Sequence, residues 1–294
     1  MTIFKTDNFD ELITKLHSKH WGLYDIPDTL YHHPDCPGMS RSALNEFAKS
    51  GQHYWQYKLR HKEPTDAMKL GSLFHISILR PENLNLECGV LPKFKGVRGN
   101  TIAQQRDAHI AQRSERLWIT QDQLDAVQRM TVSIVTHPII KEVRECQHVE
   151  LSVFNEDPQT KQMIKAKPDA FCIKDGKIRI YDIKSCKKGG GTAHEFMRAV
   201  TNTDSRLYIQ AAMTSYLLHL TLGLPIEFFK FVVVEKEPPY PVSIFQLTDD
   251  FMNFAMDTMS MDLEDFAICK EKNIWPGYPE GTQTLELPSW MLKQ

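Results

Sequence analysis

The sequence predicts an α/β fold in which a mixed central sheet flanked by helices follows a mainly helical N-terminal half. Three observations carry this expectation. Apolar residues recur at helical spacing through roughly the first 145 positions, the pattern switches to alternation near residue 147, and the apolar run Phe228 to Val234 reads as a buried strand. Residues 1–294 are expected to form one domain, with 1–145 as its helical part and 146–294 as its α/β core and C-terminal helix and tail.

The elements follow in order. Ser40 is placed to cap a helix over Arg41 to Lys49, where Leu44, Phe47 and Ala48 recur at helical spacing. Met68 to Leu79 reads as a second helix, with Leu70, Leu73, Phe74 and Leu79 as its buried stripe. Thr120 caps a third, which runs to His137-Pro138, where proline interrupts it. Between them Lys93 to Asn100, KFKGVRGN, is basic and glycine-punctuated, as a loop is. Val149 to Asn155 alternates as a strand and Asp157-Pro158-Gln159-Thr160 makes a turn. Lys161 to Ile173 reads as a second strand, Asp175-Gly176 as a hairpin and Lys177 to Ser185 as a third strand, giving a meander. Gly189 to Gly191 precede helical residues from His194, and a longer helix covers about Asp204 to Leu222. Phe228 to Val234 and Val242 to Leu247 add strands, and a helix rich in Met and Asp spans about Asp249 to Lys272.

Composition narrows the function. With 35 Lys and Arg against 37 Asp and Glu, a net charge of −2, the chain is not a globally basic nucleic-acid coat. Any polyanion must meet a local patch. Five Trp, nine Tyr and fifteen Phe supply enough apolar surface to exclude disorder for most of the chain. No stretch approaches the roughly 18 consecutive apolar residues of a membrane span, and MTIFKTDNFDELI lacks the features of a secretory signal. A cytoplasmic location with no membrane partner is therefore expected. The six cysteines are scattered without a CxxC pair, which suits buried thiols in a reducing compartment rather than a zinc or iron–sulfur site. His32-His33-Pro34-Asp35-Cys36 holds metal-ligand residue types, but its irregular spacing reads as a polar turn.

The chemistry lies in Lys165-Ala166-Lys167-Pro168-Asp169-Ala170-Phe171 and, beyond the hairpin, Tyr181-Asp182-Ile183-Lys184-Ser185. Residues two apart in a strand share a face, so Asp182 and Lys184 point one way and Tyr181, Ile183 and Cys186 are expected to pack the other way. The hairpin brings Asp169 alongside. Two carboxylates and an amine then converge, with Glu150 on the preceding strand as a possible third carboxylate. Hard oxygen ligands of this kind suit Mg²⁺ or Mn²⁺. A neighbouring lysine can position or help deprotonate an attacking water and stabilise developing phosphorane charge. The plain alternative is a turn aspartate beside a solvated strand face. His75, read from spacing alone, is a satisfied core histidine beside the Leu70, Leu73 and Phe74 stripe.

Pro-Asp followed across a hairpin by Asp-x-Lys resembles the PD-(D/E)XK (restriction-endonuclease-like) nuclease superfamily. More narrowly, the chain resembles RecE-type exonucleases, the C-terminal nuclease domain of exodeoxyribonuclease VIII. That likeness runs from Tyr24-Asp25-Ile26-Pro27 and Tyr31-His32 through Gly38 to Leu44 and Leu70-Gly71-Ser72-Leu73-Phe74-His75. It continues through the two carboxylate motifs and Arg206 to Gln210, to Trp275-Pro276 and Leu285 to Trp290. The resemblance implies that Asp169, Asp182 and His75 bind metal together with Ile183, that Lys184 is the catalytic lysine and that Glu150 is the upstream acidic position. It implies that Gln210 contacts DNA or buttresses the site. Relatives often carry tyrosine four residues after this glutamine, where this chain has Thr214, with Tyr208 and Tyr216 nearby.

Around the motifs, residues 161–188 hold nine Lys and Arg against three Asp, whereas 249–266 hold six Asp and Glu and no Lys or Arg. A basic track beside a metal site suits contact with phosphate backbone rather than bases. Lys167, Lys187 and Lys188 belong to that track, and Arg206 and Tyr208 flank Gln210 as further DNA-contact candidates. Ser40 and Arg41, at a helix start, offer either a terminal-phosphate pocket or a plain N-cap. The resemblance implies Mg²⁺-dependent 5′→3′ digestion of duplex DNA ends to 5′-mononucleotides. It also implies a homotetrameric ring and a single-strand annealing partner of the RecT type in phage recombination. A structure-selective or restriction-like endonuclease and a non-catalytic DNA-end binding module are the rival expectations.

Overall fold

A computed structural model describes residues 2–59, 65–96, 101–112 and 116–287. In chain order the elements are β1 (Ile3–Lys5), α1 (Phe9–His17), β2 (Gly22–Asp25), α2 (Asp28–Tyr31), α3 (Arg41–Lys49), α4 (Gly51–Leu59) and α5 (Asp66–Leu79). Then come α6 (Leu84–Glu87), β3 (Cys88–Val90), α7 (Ile102–Ala111), β4 (Leu117–Ile119), α8 (Gln121–Thr136), α9 (Ile139–Arg144) and β5 (His148–Val149). The core continues with β6 (Ser152–Glu156), β7 (Met163–Ala166), β8 (Ala170–Lys174), β9 (Lys177–Cys186), α10 (Ala193–Thr201) and α11 (Leu207–Leu222). It ends with β10 (Ile226–Glu235), β11 (Val242–Gln246) and α12 (Asp249–Lys272). Residues 97–100 of the expected basic loop and 288–290 of the tail motif lie outside the described residues.

The central sheet is mixed, as expected, with strand order β11-β10-β9-β8-β5. The β9 and β10 strands are parallel neighbours, joined through α10 and α11; the other pairs are antiparallel. Buried on both faces, β10 shows no alternation, and Phe229, Phe231, Val232, Val233 and Val234 are all within the core. On one face Ile178, Ile180, Phe231 and Val233 pack against Ile209, Ala212, Met213 and Leu217 of α11. On the other, Tyr181, Ile183, Val232 and Val234 pack against Phe74 and Ile78 of α5, Met130 and Ile134 of α8, and Ile139, Ile140 and Val143 of α9. Cys186 belongs to the first face with Asp182 and Lys184, so the expectation that it packs with Tyr181 and Ile183 is corrected by simple parity.

The meander is also corrected. The alternating stretch 149–155 is two strands: β5 pairs with β8 in the central sheet, whereas β6 enters a four-stranded sheet of order β1-β2-β6-β7. Lys161 to Ile173 likewise divides into β7 and β8, separated by Lys167-Pro168-Asp169. Pro168 lacks an N–H for a ladder, which favours a break there. The N-terminal half is therefore not purely helical, since β1 and β2 complete this second sheet. The helix expectations hold: Ser40 caps α3, Thr120 forms a capping box with Gln123 on α8, and α12 spans Asp249–Lys272. All six cysteines are free, four of them buried. No helix among the described residues is long and apolar enough to cross a membrane.

Candidate active site

The chain crosses between the two sheets twice, at Glu150 and at Lys167-Pro168-Asp169, and the two crossings touch: the Glu150 N–H donates to the Asp169 carbonyl at 3.0 Å. Because β8 begins at Ala170, opposite Tyr181, Asp169 lies just before the strand and near Asp182 of β9. The Ile183 amide donates to Asp169 Oδ2 at 2.6 Å. Amide and carbonyl of a strand residue project to the same edge, so the Ile183 carbonyl also faces the gap that β8 leaves unfilled. Standing outside the ladder, Asp169 is reachable from both faces. His75 comes from α5 on one face, its Nδ1 at 3.2 Å from Asp169 Oδ1. From the α11 face, Gln210 Nε2 donates to Asp182 Oδ1 at 2.6 Å. Lys184 Nζ lies 2.5 Å from Asp182 Oδ2.

The charges are set against burial. Asp182 is 2% exposed. Burial raises its pKa, against the attraction of Lys184, and the nearby Asp169 charge raises it further. Burial also opposes the Asp169 charge, yet His75, Lys184 and the Ile183 amide together hold its pKa below the usual carboxylate value. Burial disfavours the His75 imidazolium, but Asp169 more than compensates and raises its pKa. Two buried carboxylates that repel each other, with an imidazole beside them, form a hard donor set of the kind a divalent cation stabilises. As they stand, no three His, Cys, Asp or Glu side chains among the described residues are arranged to hold an ion. Asp169 is turned to His75 and the Ile183 amide, and Asp182 to Gln210 and Lys184. The donor chemistry fits a divalent metal, with Asp169, Asp182 and His75 as the residues that would hold it.

The structure therefore brings together His75, Asp169, Asp182, Lys184 and Gln210, with Glu150 adjoining. Thr214 is a buried residue of α11, and the hydroxyl of Tyr216 donates to Asp157 at 2.6 Å.

The expected DNA-contact residues fare differently. Arg206 is buried and gives its guanidinium to Asp262 of α12 at 2.7 Å and to the Tyr208 hydroxyl at 3.2 Å. Tyr208 stacks on Phe251. Both residues fasten α11 to α12, and the buried Arg206 is corrected as a DNA contact, whereas Tyr208 remains half-buried. Lys167 is ion-paired with Asp28 and mostly buried, and its charge is neutralised there. Lys165 is buried, donating to the carbonyls of Tyr31 and Cys36, and Arg179 pairs with Glu227. Four of the nine cations in the basic track expected from composition, Lys165, Lys167, Arg179 and Lys184, are thus engaged within the fold, while Lys161, Lys174 and Lys177 are exposed. Lys187 and Lys188 remain exposed in the turn after β9. The Ser40 hydroxyl accepts the Ala43 amide as a plain N-cap. The Arg41 guanidinium donates to the Ser205 carbonyl at 2.7 Å. Burial lowers the Arg41 pKa, and the negative charge of Asp182 opposes that shift. Arg80 and Asp28, partners of Glu150 and Lys167, were not singled out from the sequence, because nothing local joins them to residues 70 to 139 positions away.

A carboxylate ahead of one strand, a D-x-K on the antiparallel neighbour and a helical buttress define a PD-(D/E)XK-like core. The chain belongs to the family described as PDDEXK-like domain of unknown function (DUF3799), whose model matches residues 40–288. No curated protein matches the sequence. Among solved structures, a protein from Eubacterium rectale provisionally named an exonuclease is similar, with a TM-score of 0.60 and 12% identity. The match covers 92% of this chain and 98% of that one. At that identity the likeness bears on fold. SSO0001 (14% identity, TM-score 0.27, covering 74% and 84%) and VC1899 from Vibrio cholerae (12%, 0.22, 81% and 57%) are too distant in shape to carry an argument.

Proposed function

We propose that the chain is a Mg²⁺- or Mn²⁺-dependent deoxyribonuclease that digests duplex DNA from its ends, 5′→3′, releasing 5′-mononucleotides and leaving 3′ single strands. The observation that carries this reading is the meeting of His75, Asp169, Asp182 and Lys184 where β8 leaves the β9 edge uncovered. A divalent ion bound there supplies Lewis-acid polarisation and lowers the pKa of a bound water. The chain's own residues do the rest. Gln210 and the Ile183 amide fix the two carboxylates, so that little reorganisation is needed during the reaction. The Lys184 ammonium carries positive charge to where the phosphoryl oxygens become more negative, and its charge can orient the attacking water and favour the hydroxide form. In-line attack leaves the phosphate on the 5′ side of the released nucleotide.

The exonuclease direction rests on the RecE-type resemblance, as do a cytoplasmic location, a ring-shaped homotetramer and a RecT-type annealing partner. Linear duplex labelled at either end, with a covalently closed circle as control, tests the reading. Loss of the 5′ label first, with the circle intact, is the expected result. Rapid cutting of the circle would favour the restriction-like endonuclease, and end binding without product would favour a non-catalytic module.

A further inference from the structure

We propose that Arg80 is a positioning residue, holding Asp169 in register with His75 by pinning Glu150. The inference rests on the nuclease reading above and makes Glu150 a strut rather than a metal ligand.

Arg80 caps the C-terminus of the helix that carries His75. It has left helical geometry, at φ −142° and ψ 58°, which turns its side chain back toward the sheet junction. Its Nε lies 2.5 Å from Glu150 Oε2, an ion pair whose angles do not make a hydrogen bond. The Glu150 side chain is only 14% exposed, and a carboxylate so placed is strongly destabilising without a partner. Glu150 also has φ +50°, a conformation that a non-glycine residue keeps only where its surroundings hold it. In that conformation its amide donates to the Asp169 carbonyl, and the Asp169 carboxylate in turn meets His75.

These contacts close a ring: from His75 along α5 to Arg80, across to Glu150, on to the backbone of Asp169 and back to His75. Opening the ring at Arg80 leaves Glu150 buried and unpaired, with no reason to retain a left-handed backbone, and frees the segment that carries Asp169. The guanidinium also argues against Glu150 as a direct ligand, since a divalent cation on the same oxygen would sit beside an existing positive charge.

The test measures Mn²⁺ binding by the electron paramagnetic resonance of the free ion, with circular dichroism confirming the fold. Arg80→Gln and Glu150→Gln should each weaken Mn²⁺ binding about tenfold or more, the range typical of lost partners behind a ligand. The double variant should be no worse than the weaker single variant, because the two act as one unit. Arg80→Lys should recover most of the loss, a rescue that a purely structural role would not require of Mn²⁺ affinity. Should Arg80→Gln fail to fold, Glu150→Gln and Arg80→Lys carry the comparison. Mn²⁺ affinity within twofold of wild type in Glu150→Gln or Arg80→Gln overturns the proposal. So does abolition of binding by Glu150→Gln with Arg80→Gln unaffected, which would make Glu150 a ligand. A wild-type chain that binds no Mn²⁺ removes the nuclease reading itself, and this inference with it.

Discussion

Asp157 closes the turn between β6 and β7 and ties it to α11. Its carboxylate accepts from the Thr160 amide at 2.7 Å, the Thr160 hydroxyl at 2.6 Å and the Tyr216 hydroxyl at 2.6 Å. Burial resists the charge, but these donors hold the pKa below the ordinary aspartate value. A carboxyl depressed in the folded state contributes stability above its unfolded pKa of about 3.9, and that contribution is lost as pH falls through the folded value. Asp157→Asn is therefore expected to cost about 2 kcal/mol at pH 7, the scale of hydrogen bonds to a charged group. The gap from wild type should narrow below about pH 4; thermal melts at pH 7 and pH 3.5 measure both, and a gap that widens in acid would contradict the assignment.

At this scale the sequence was legible wherever chemistry is local. Asp169, Asp182 and Lys184 follow from alternation and a hairpin, and Ser40 and Thr120 follow from capping rules. Glu150 with Arg80 and Arg206 with Asp262 were not, because each pair joins distant segments and only the packed chain decides which charges are used internally.

Among elements, helices read well because each satisfies its own backbone, so caps and period suffice. Strands read less well. Alternation does not distinguish one strand from two that change sheets, so the crossings at Glu150 and Pro168 stayed invisible, and with them β1 and β2 as sheet members. The C-terminal tail illustrates element packing. Trp275 stacks on Tyr54 and Trp55 of α4, and the Pro276 carbonyl accepts from the Gln52 amide at 3.1 Å. A Cβ on Gly51 would lie 2.9 Å from Trp275 Cα and 3.0 Å from the Pro276 nitrogen, both backbone atoms that cannot rotate away. Gly51→Ala should therefore lower the melting temperature by a few degrees, corresponding to an overpacking cost of about 1–3 kcal/mol less the helix preference of alanine. Earlier proteolysis of the tail should accompany it. A raised melting temperature with an intact tail would show that this contact does not constrain the start of α4.

Over the whole molecule, the net charge of −2 averages unlike regions, though not in the way composition alone suggests. Lys165, Lys167, Lys184 and Arg179 are occupied within the fold, whereas Lys161, Lys174, Lys177, Lys187 and Lys188 are exposed, the last two just beyond the end of the strand that carries Lys184.

The arrangement also separates stability from function. The fold disfavours the Asp182 charge, since burial raises its pKa, so a neutral isostere costs the fold little while removing a carboxylate from the proposed metal set. The most direct measurement is Mg²⁺-dependent nucleotide release from linear duplex by Asp182→Asn beside wild type, with melting temperatures taken on the same samples. The expected result is a rate at least about a hundredfold lower, with a melting temperature within a few degrees of wild type. Digestion within tenfold of wild type by the folded variant would contradict the assignment of this site.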